Sequence, residues 1–355
     1  MNAPQTIAVQ PTVFDHPEYD DHEQVLFCRD AASGLHAIIA LHNTVRGPAG
    51  GGCRMWPYAS FGEALTDALR LSRGMTYKNA LADVALGGGK SVIIADPRTD
   101  KTEELFTAFA GFVDGLGGRY VTAEDVGITA ADMEIMRRRT QYALGTTQSG
   151  LGDPSPYTAL GVFTGIRAAA RFKYGSDDLT GRRACVLGLG AVGYRVAEFL
   201  AAAGAKLVVA DIREQAVEKA VRELGAEPIT PGEAHQAEID IFVPCALGGG
   251  LNATTIPNIQ ATIIAGAANN QLATPQDDHA LMHRDILYAP DYAINAGGVI
   301  SIADYKMGDS DAAVRAKIDR IGDTLTDIFT QAADDGQPTG MIADRLARQR
   351  LVPLA

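Results

Sequence analysis

The stretch Arg182 to Glu214, RRACVLGLGAVGYRVAEFLAAAGAKLVVADIRE, constrains the fold more than any other part of the chain. The apolar run ACVL leads into Gly188, Gly190 and Gly193, spaced G-x-G-x-x-G. A helical segment follows, then a second apolar run, KLVVAD, that ends at Asp211. Strand, glycine turn, helix, strand and a carboxylate about 20 residues on is the fingerprint of a dinucleotide-binding βαβ unit. The first glycine permits the turn, the second lets a pyrophosphate approach the backbone, and the third lets helix pack on strand. The helix N-terminus, with Ala191 and Val192 in its first turn, favours phosphate charge. Asp211, followed by Ile212, can accept hydrogen bonds from ribose hydroxyls and repels a 2′-phosphate, which favours NAD over NADP. Arg213 pulls slightly the other way. The alternative reading of the three glycines is a turn in an α/β sheet that binds no ligand.

The fingerprint starts near residue 186 of 355, so the nucleotide domain comes second. Upstream, VLFCRD and GLHAIIALHNT read as two strands around a turn at Ala32 to Gly34. SFGEALTDALRLSRGMTYKNAL reads as a helix opened by a Ser60–Glu63 capping box. SVIIADP reads as a buried strand stopped by Pro97, EELFTAFAGFVDGL as an amphipathic helix, and GRYVTAEDVG as a strand ending in a polar loop. Alternating strands and helices indicate an α/β domain. Gly145 to Pro156, rich in Gly, Ser, Thr and Pro, reads as a linker. The helix YTALGVFTGIRAAARFKYG follows it. Near the C-terminus, Ile318, Ile321, Leu325, Ile328 and Phe329 mark one face of a long helix, and a second, basic helix follows DDGQP. The expected fold is α/β with two domains separated by a cleft: an N-terminal substrate and catalytic domain over 1–148, and a Rossmann-type NAD domain over 149–324. Helices over about 325–355 are expected to pack back on the first domain.

The net charge of −12 argues against nucleic acid and anionic membranes as partners. No apolar run reaches the roughly 18–20 residues of a membrane span. The polar, Pro-rich N-terminus reads as a loose arm rather than a secretory signal. Cys28, Cys53, Cys185 and Cys245 form no C-x-x-C pair, which suits free thiols in the cytoplasm. A protein-bound metal is not expected.

An acidic chain that binds an anionic ligand needs local cations, which directs attention to VALGGGKSVIIADP. A phosphate loop would need glycine at position 84, where Val84 stands, and a helix after Ser91, where a β-branched run begins. Lys90 is therefore not a phosphate-loop lysine, and the three glycines before it read as a tight loop.

VALGGGKSVIIADP instead resembles, over its whole length, the signature of the glutamate/leucine/phenylalanine/valine dehydrogenase family. GPAGGGCRMWPY, RLSRGMTYKNAL, VTAEDVG, SPYTALGV, PCALGGG, AGAANNQL and YAPDYAINAGGVI resemble the same family, in its order, over residues 45 to 300. The branch acting on nonpolar amino acids is the most similar. The resemblance implies NAD-dependent oxidative deamination of an L-amino acid to a 2-oxo acid and ammonia, and the reverse reaction. It implies that Lys78 holds the substrate α-carboxylate, that Lys90 activates water and stabilises the carbinolamine, and that Asp125 shuttles a proton. Burial and a second cation, Lys78, would help Lys90 to lose its proton. Gly51 and Gly52 would leave backbone open to the substrate, Asn269 and Asn295 would contact substrate and nicotinamide, and Thr158, Cys245 and Ala246 would line the nicotinamide end. Relatives form homo-oligomers through the first domain. Cys53 departs from the threonine usual there, and Arg54 reads as a structural ion-pair partner.

By the same resemblance Gly50, Ala123, Val299 and Ile302 would line the side-chain pocket. The glutamate branch carries a lysine at the position of Gly50 and a serine at that of Ile302, so a glutamate carboxylate would lose both partners. Leucine-type relatives carry a larger residue at Gly50; its absence opens the pocket, while Ile302 fills the far wall. Leucine-like and aromatic substrates therefore remain open. The competing classes are a non-catalytic NAD-binding redox sensor, which would be expected to lack a catalytic group, and a hydroxy-acid dehydrogenase, for which no His/acid or Arg/His site is found.

Overall fold

The computed structural model describes residues 12–144, 153–246 and 248–352, with backbone alone at 305–307. The chain divides into two units, Met1–Thr76 with Gly87–Thr146, and Tyr77–Leu86 with Thr147–Ala355. The 148/149 boundary, most of the Gly145–Pro156 linker and nearly all of the N-terminal arm lie outside the described residues.

The first unit holds one sheet of five strands, β1 (Gln24–Asp30), β2 (Leu35–Asn43), β3 (Ala49–Trp56), β4 (Gly87–Ile94) and β5 (Tyr120–Glu124), in the order β1-β2-β4-β3-β5. β1 and β2 form the expected hairpin; β2 also runs antiparallel to β4, whereas β3 is parallel to both β4 and β5. Helices cover both faces. Helix α1 (Phe61–Leu81) packs Ala64, Leu65, Ala68 and Leu69 against Ile38, Ala40 and Val92. On the other face α2 (Glu103–Gly115) and α3 (Ala130–Arg139) bring Phe106, Phe109, Val113, Met133 and Met136 against Leu35, Ile39, Met55 and Tyr120. The Ser60 hydroxyl accepts from Glu63 N at 3.1 Å and the Glu63 carboxylate reaches back to Ala59 N, close to the box expected there. Thr102 caps α2 by accepting from Leu105 N at 3.1 Å, and Glu103 and Glu104 favour the positive end of the helix.

One correction arises in this sheet. The glycines before Lys90 are not a loop: Gly87, Gly88 and Gly89 begin β4, and Lys90 sits inside the strand opposite Ala40. The second glycine run, Gly50 to Gly52, lies in β3 between β4 and β5. Glycine normally weakens a strand, but close approach of two backbones can require it. A Cβ at Gly51 would stand 1.7 Å from Gly89 O, and one at Gly88 would meet Thr76 Oγ1 at 2.0 Å.

The second unit contains a fully parallel six-stranded sheet built from β6 (Arg183–Leu187), β7 (Lys206–Ala210), β8 (Glu227–Pro228), β9 (Ile241–Pro244), β10 (Ile263–Ile264) and β11 (Leu287–Tyr288). Its order, β11-β10-β9-β6-β7-β8, is that of the doubly wound dinucleotide fold. Helices α4 (Ser155–Tyr174), α5 (Ala191–Ala202), α6 (Glu214–Leu224), α7 (Gln276–His283), α8 (Asp291–Ile294), α9 (Gly297–Met307), α10 (Asp311–Asp335) and α11 (Thr339–Gln349) complete it. The apolar face expected of α10 is buried, with Val314, Ile318, Ile321, Leu325, Ile328 and Phe329 all inside.

The C-terminal helices group with this unit. Their apolar stripe shares a core with Val162, Ile166 and Ala169 of α4 and with Ile294 and Ile300. They do meet residues 77–81, through Arg348 Nε to Tyr77 Oη at 2.9 Å and Arg350 Nη1 to Leu81 O at 2.7 Å, but that end of α1 groups with the second unit.

Among the described residues no helix is long and apolar enough to cross a membrane. His279 and His283 stand at i, i+4 on α7, a metal-ligand spacing absent from the sequence expectations. Among the described residues no group of three or more His, Cys, Asp or Glu side chains is placed to hold a metal ion.

The first unit buries two neighbouring histidines, His22 and His42, with ring centroids 4.8 Å apart. Burial, and then repulsion from His42, push the His22 imidazolium down to about 4. A depressed histidine stabilises the fold above its unfolded pKa of about 6.5, and that stability is lost as pH falls toward the folded value. Urea unfolding should therefore show roughly 3 kcal/mol less stability at pH 4.5 than at pH 7.5 from this residue. His22→Gln should flatten that loss; an equal loss in the variant would remove His22 as its cause.

Candidate active site

In the first unit the strand register brings four charged side chains together. Lys90 projects from β4 with 4% of its surface exposed. Its Nζ lies 3.0 Å from Asp125 Oδ2, just beyond the end of β5. Arg54, on β3, donates from Nε to the same Asp125 oxygen at 2.8 Å and from Nη1 to Asp67 Oδ2 at 2.8 Å. Tyr58 donates its hydroxyl to that Asp67 oxygen at 2.5 Å. Burial works to raise the Asp125 carboxyl, but Lys90 and then Arg54 outweigh it and hold it below the usual carboxylate range. Asp125 is therefore a carboxylate at neutral pH, in contact with two cations.

The strand backbone around these groups is pinned from below. Tyr120 donates its hydroxyl to Gly51 O at 2.9 Å and lies 3.0 Å from Ser91 Oγ. Cys53 is fully buried, and burial pushes its thiol up to about 12, so it stays neutral. Gly50 pairs with Gly88 and Val121, and Gly52 pairs with Ala123. A Cβ at Gly52 would meet Glu124 O at 2.7 Å and Asp125 Cβ at 2.8 Å. Glycine here lets β3 lie against the end of β5, beside Asp125.

In the second unit a different polar chain forms. Lys78 donates from Nζ to Asn269 Oδ1 at 3.3 Å. Asn295 donates from Nδ2 to the same oxygen at 2.8 Å and to Ala267 O at 3.0 Å. Its own Oδ1 is buried without a hydrogen-bond partner among the described residues. A buried acceptor left open is costly unless a ligand N–H completes it. Lys78 also bears on Asp291, whose carboxylate accepts from Asn270 N at 2.5 Å and Tyr288 Oη at 3.2 Å. Val299 and Ile302 lie three residues apart on α9, both partly exposed.

The nucleotide signature has the expected geometry. Gly188 adopts φ +100, and a Cβ at Gly193 would stand 1.9 Å from Gly188 O. A Cβ at Gly190 would meet nothing within 4 Å. Gly190 is the N-cap of α5 and supplies no side-chain cap, so the first-turn N–H groups beside Ala191 and Val192 are available to an anion. The β6 and β9 ends adjoin where the strand order reverses. There Cys245 N donates to Leu187 O at 2.7 Å, and a Cβ at Gly188 would meet Ala246 N at 2.8 Å. Thr158, on α4, donates to Pro154 O at 3.2 Å and packs on Gly298. Asp211 accepts from Leu189 N at 2.6 Å. Arg213 donates from N at 2.8 Å and Nε at 3.1 Å to Asp211 Oδ1. Burial opposes ionisation of Asp211, yet these bonds hold it down to about 2. Arg213 is thus engaged with Asp211 itself. Ile212 is 91% exposed beside it. This donor set fits an NAD pyrophosphate and ribose.

Arg54 is an ion-pair partner, as read from the sequence, and one of its partners is Asp125. One feature escaped the sequence. Asp291 was not singled out, although its side chain faces Lys78 and Asn270. Arg54 lies within a matched segment, two residues after Gly52, but the contact that matters is 71 residues away in sequence.

The model of the Glu/Leu/Phe/Val dehydrogenase dimerisation domain matches residues 22–142, and that of the Glutamate/Leucine/Phenylalanine/Valine dehydrogenase domain matches 208–340. The NAD-binding domain of D-isomer specific 2-hydroxyacid dehydrogenases matches 164–247, the nucleotide fold the two groups share. Leucine dehydrogenase of Geobacillus stearothermophilus is 51% identical over 96% of this chain and 93% of its own. Valine dehydrogenase of Streptomyces virginiae is 47% identical over 95% of each. The crystal structure of L-tryptophan dehydrogenase from Nostoc punctiforme superposes with a TM-score of 0.82 at 44% identity, over 93% of this chain and 96% of that one. Domain matches on both sides of the linker and near-full-length relatives agree: this chain is a member of the glutamate/leucine/phenylalanine/valine dehydrogenase family.

Proposed function

We propose that the protein catalyses NAD-dependent oxidative deamination of a nonpolar L-amino acid to its 2-oxo acid and ammonia, and the reverse amination. The observation that carries this reading is the buried Lys90–Asp125 pair, 3.0 Å apart, in a family member whose near-full-length relatives are leucine and valine dehydrogenases. The cofactor is NAD, and Asp211 with its two held oxygens is the residue that selects against a 2′-phosphate. The glycine turn at Gly188 to Gly193 and Asp211 would hold NAD, which would supply the hydride acceptor for the substrate Cα.

The chain's own groups do the rest. Lys78 holds the α-carboxylate. Asp125 takes the proton that leaves the substrate amino group. Lys90, as neutral amine, takes a proton from water as it attacks the imino carbon, and as ammonium supports the carbinolamine oxygen. Asn295 Oδ1, open in the described structure, accepts a ligand N–H, and Asn269 fixes its side chain through the 2.8 Å bond. Gly51 and Gly52 bring backbone close to the substrate. A retired redox sensor would be expected to lack one of these groups; Lys78, Lys90 and Asp125 are all present.

Gly50, Ala123, Val299 and Ile302 are assigned to the substrate side chain. None can pair a carboxylate, and an unpartnered glutamate carboxylate there would cost several kcal/mol. Branched aliphatic and aromatic side chains both suit this lining, and phenylalanine and tryptophan belong among the candidate substrates. The division of labour assigns catalysis to the first unit and NAD to the second. The first unit also carries assembly into a homo-oligomer, a reading supported by the description of its matching domain as a dimerisation domain. The four cysteines stand as free thiols, which supports a cytoplasmic protein.

Purified protein should reduce NAD with leucine, valine, phenylalanine or tryptophan, with kcat/KM for glutamate at least about 100-fold lower. Glutamate as the best substrate would sink the reading. Gly50→Leu should shift preference toward small aliphatic side chains; an unchanged ranking would remove Gly50 from the pocket. Lys90→Ala should lower kcat by at least about 100-fold with NAD affinity preserved, measured by quenching or calorimetry. Full turnover in that variant would exclude Lys90 from catalysis.

A further inference from the structure

Arg54 offers more than a structural ion pair. Its guanidinium divides its donors: Nε goes to Asp125 Oδ2 at 2.8 Å and Nη1 to Asp67 Oδ2 at 2.8 Å. Asp67, on α1, is in turn held by Tyr58. A lysine could supply the charge but not this two-ended fork. The Asp125 oxygen that Arg54 holds is the one that faces Lys90.

The charges decide what this does. Lys90 and Arg54 balance Asp125 and Asp67 while all four are ionised. The proposed reaction requires Lys90 to become neutral in part of the cycle. Asp125 would then be a buried carboxylate without its first cation. Such a group takes up a proton unless a second cation is in contact with it. Arg54 is that cation. The other ionisable groups around the cluster do not replace it. Cys53 and Tyr120 are kept neutral by burial, as is Tyr58. Asp132, which also bears on Cys53, is paired with Lys101.

We infer that Arg54 is a positioning residue of the reaction, anchored by Asp67 and Tyr58, that keeps Asp125 ionised and aimed while Lys90 exchanges its proton. The inference rests on the roles proposed above for Lys90 and Asp125. It does not make Arg54 a proton donor.

The test is the pH dependence of kcat/KM, on the best nonpolar amino acid, for wild type, Arg54→Lys and Arg54→Gln. Removing a cation raises the pKa of every group beside it, so the sign is the same whether Lys90 or Asp125 governs the ascending limb. Arg54→Gln should move that limb upward by about one pH unit and lower kcat/KM at pH 7.5 by at least about ten-fold. NAD affinity, a property of the second unit, should be unchanged, and the circular dichroism spectrum and thermal midpoint should stay close to wild type, which shows that the first unit is folded as well. Arg54→Lys should leave the limb within a few tenths of a pH unit of wild type while lowering kcat, because charge is kept and the fork is lost. A limb that stays in place in Arg54→Gln, with activity lowered evenly at all pH values, would overturn the inference and leave a structural role. So would identical profiles for the two variants. A wild-type protein inactive on every nonpolar amino acid would instead overturn the functional reading, and this inference with it.

Discussion

The close approach of β3 to β4 is the constraint on which the charge cluster of the first unit depends. Gly51 comes so near Gly89 that a single methyl group would stand 1.7 Å from a carbonyl oxygen. That approach sets the register of Lys90 on one strand and Arg54 on the other. β5, parallel to β3, then ends with Asp125 beside both. Three parallel or adjacent strands thus deliver two cations to one carboxylate oxygen. Tyr120 ties the same layer together through Gly51 and Ser91. The glycines weaken strand propensity locally, and helices on both faces offset that by burying the sheet.

The second unit solves a different problem with the same economy of side chains. Its glycines make room where Gly190 faces open space and close packing where Gly193 meets Gly188. Lys78 comes from the last turn of α1, a helix that begins in the first unit. Residues 77–86 leave that unit's core and join the one formed by α4 and α10. One helix therefore carries Asp67, which anchors the charge cluster, and Lys78, which bonds Asn269.

How much of this was legible depended on whether the signal was local. The βαβ unit from Arg183 to Asp211 was readable because its glycines, periodicity and acid all lie within one short segment. The buried stripe of α10 was readable for the same reason. β3 was not: nothing local to Gly50 to Gly52 marks a strand until β4 and β5 are placed on either side. Gly87 to Gly89 were read as a loop because the pairing that makes them a strand is equally distant in sequence. Lys90 and Asp125 were named from the resemblance to a family, not from spacing, because nothing in a 35-residue separation shows that they touch. Arg54 was legible as an ion-pair partner, but not which carboxylates it pairs, because Asp67 and Asp125 come from a helix and a distant strand end. The core that takes up the C-terminal helices was not legible, because an apolar stripe tells that a face is buried, not which core buries it.

The central claim is that glycine-to-glycine contact between β3 and β4 builds the reactive cluster in the first unit. Gly51→Ala tests it directly, by measuring amino-acid turnover and NAD binding on the same purified protein. The account predicts that turnover falls by at least about 100-fold while NAD affinity is retained, because the added methyl group displaces β3 and leaves the second unit untouched. Turnover within two- or three-fold of wild type would contradict it.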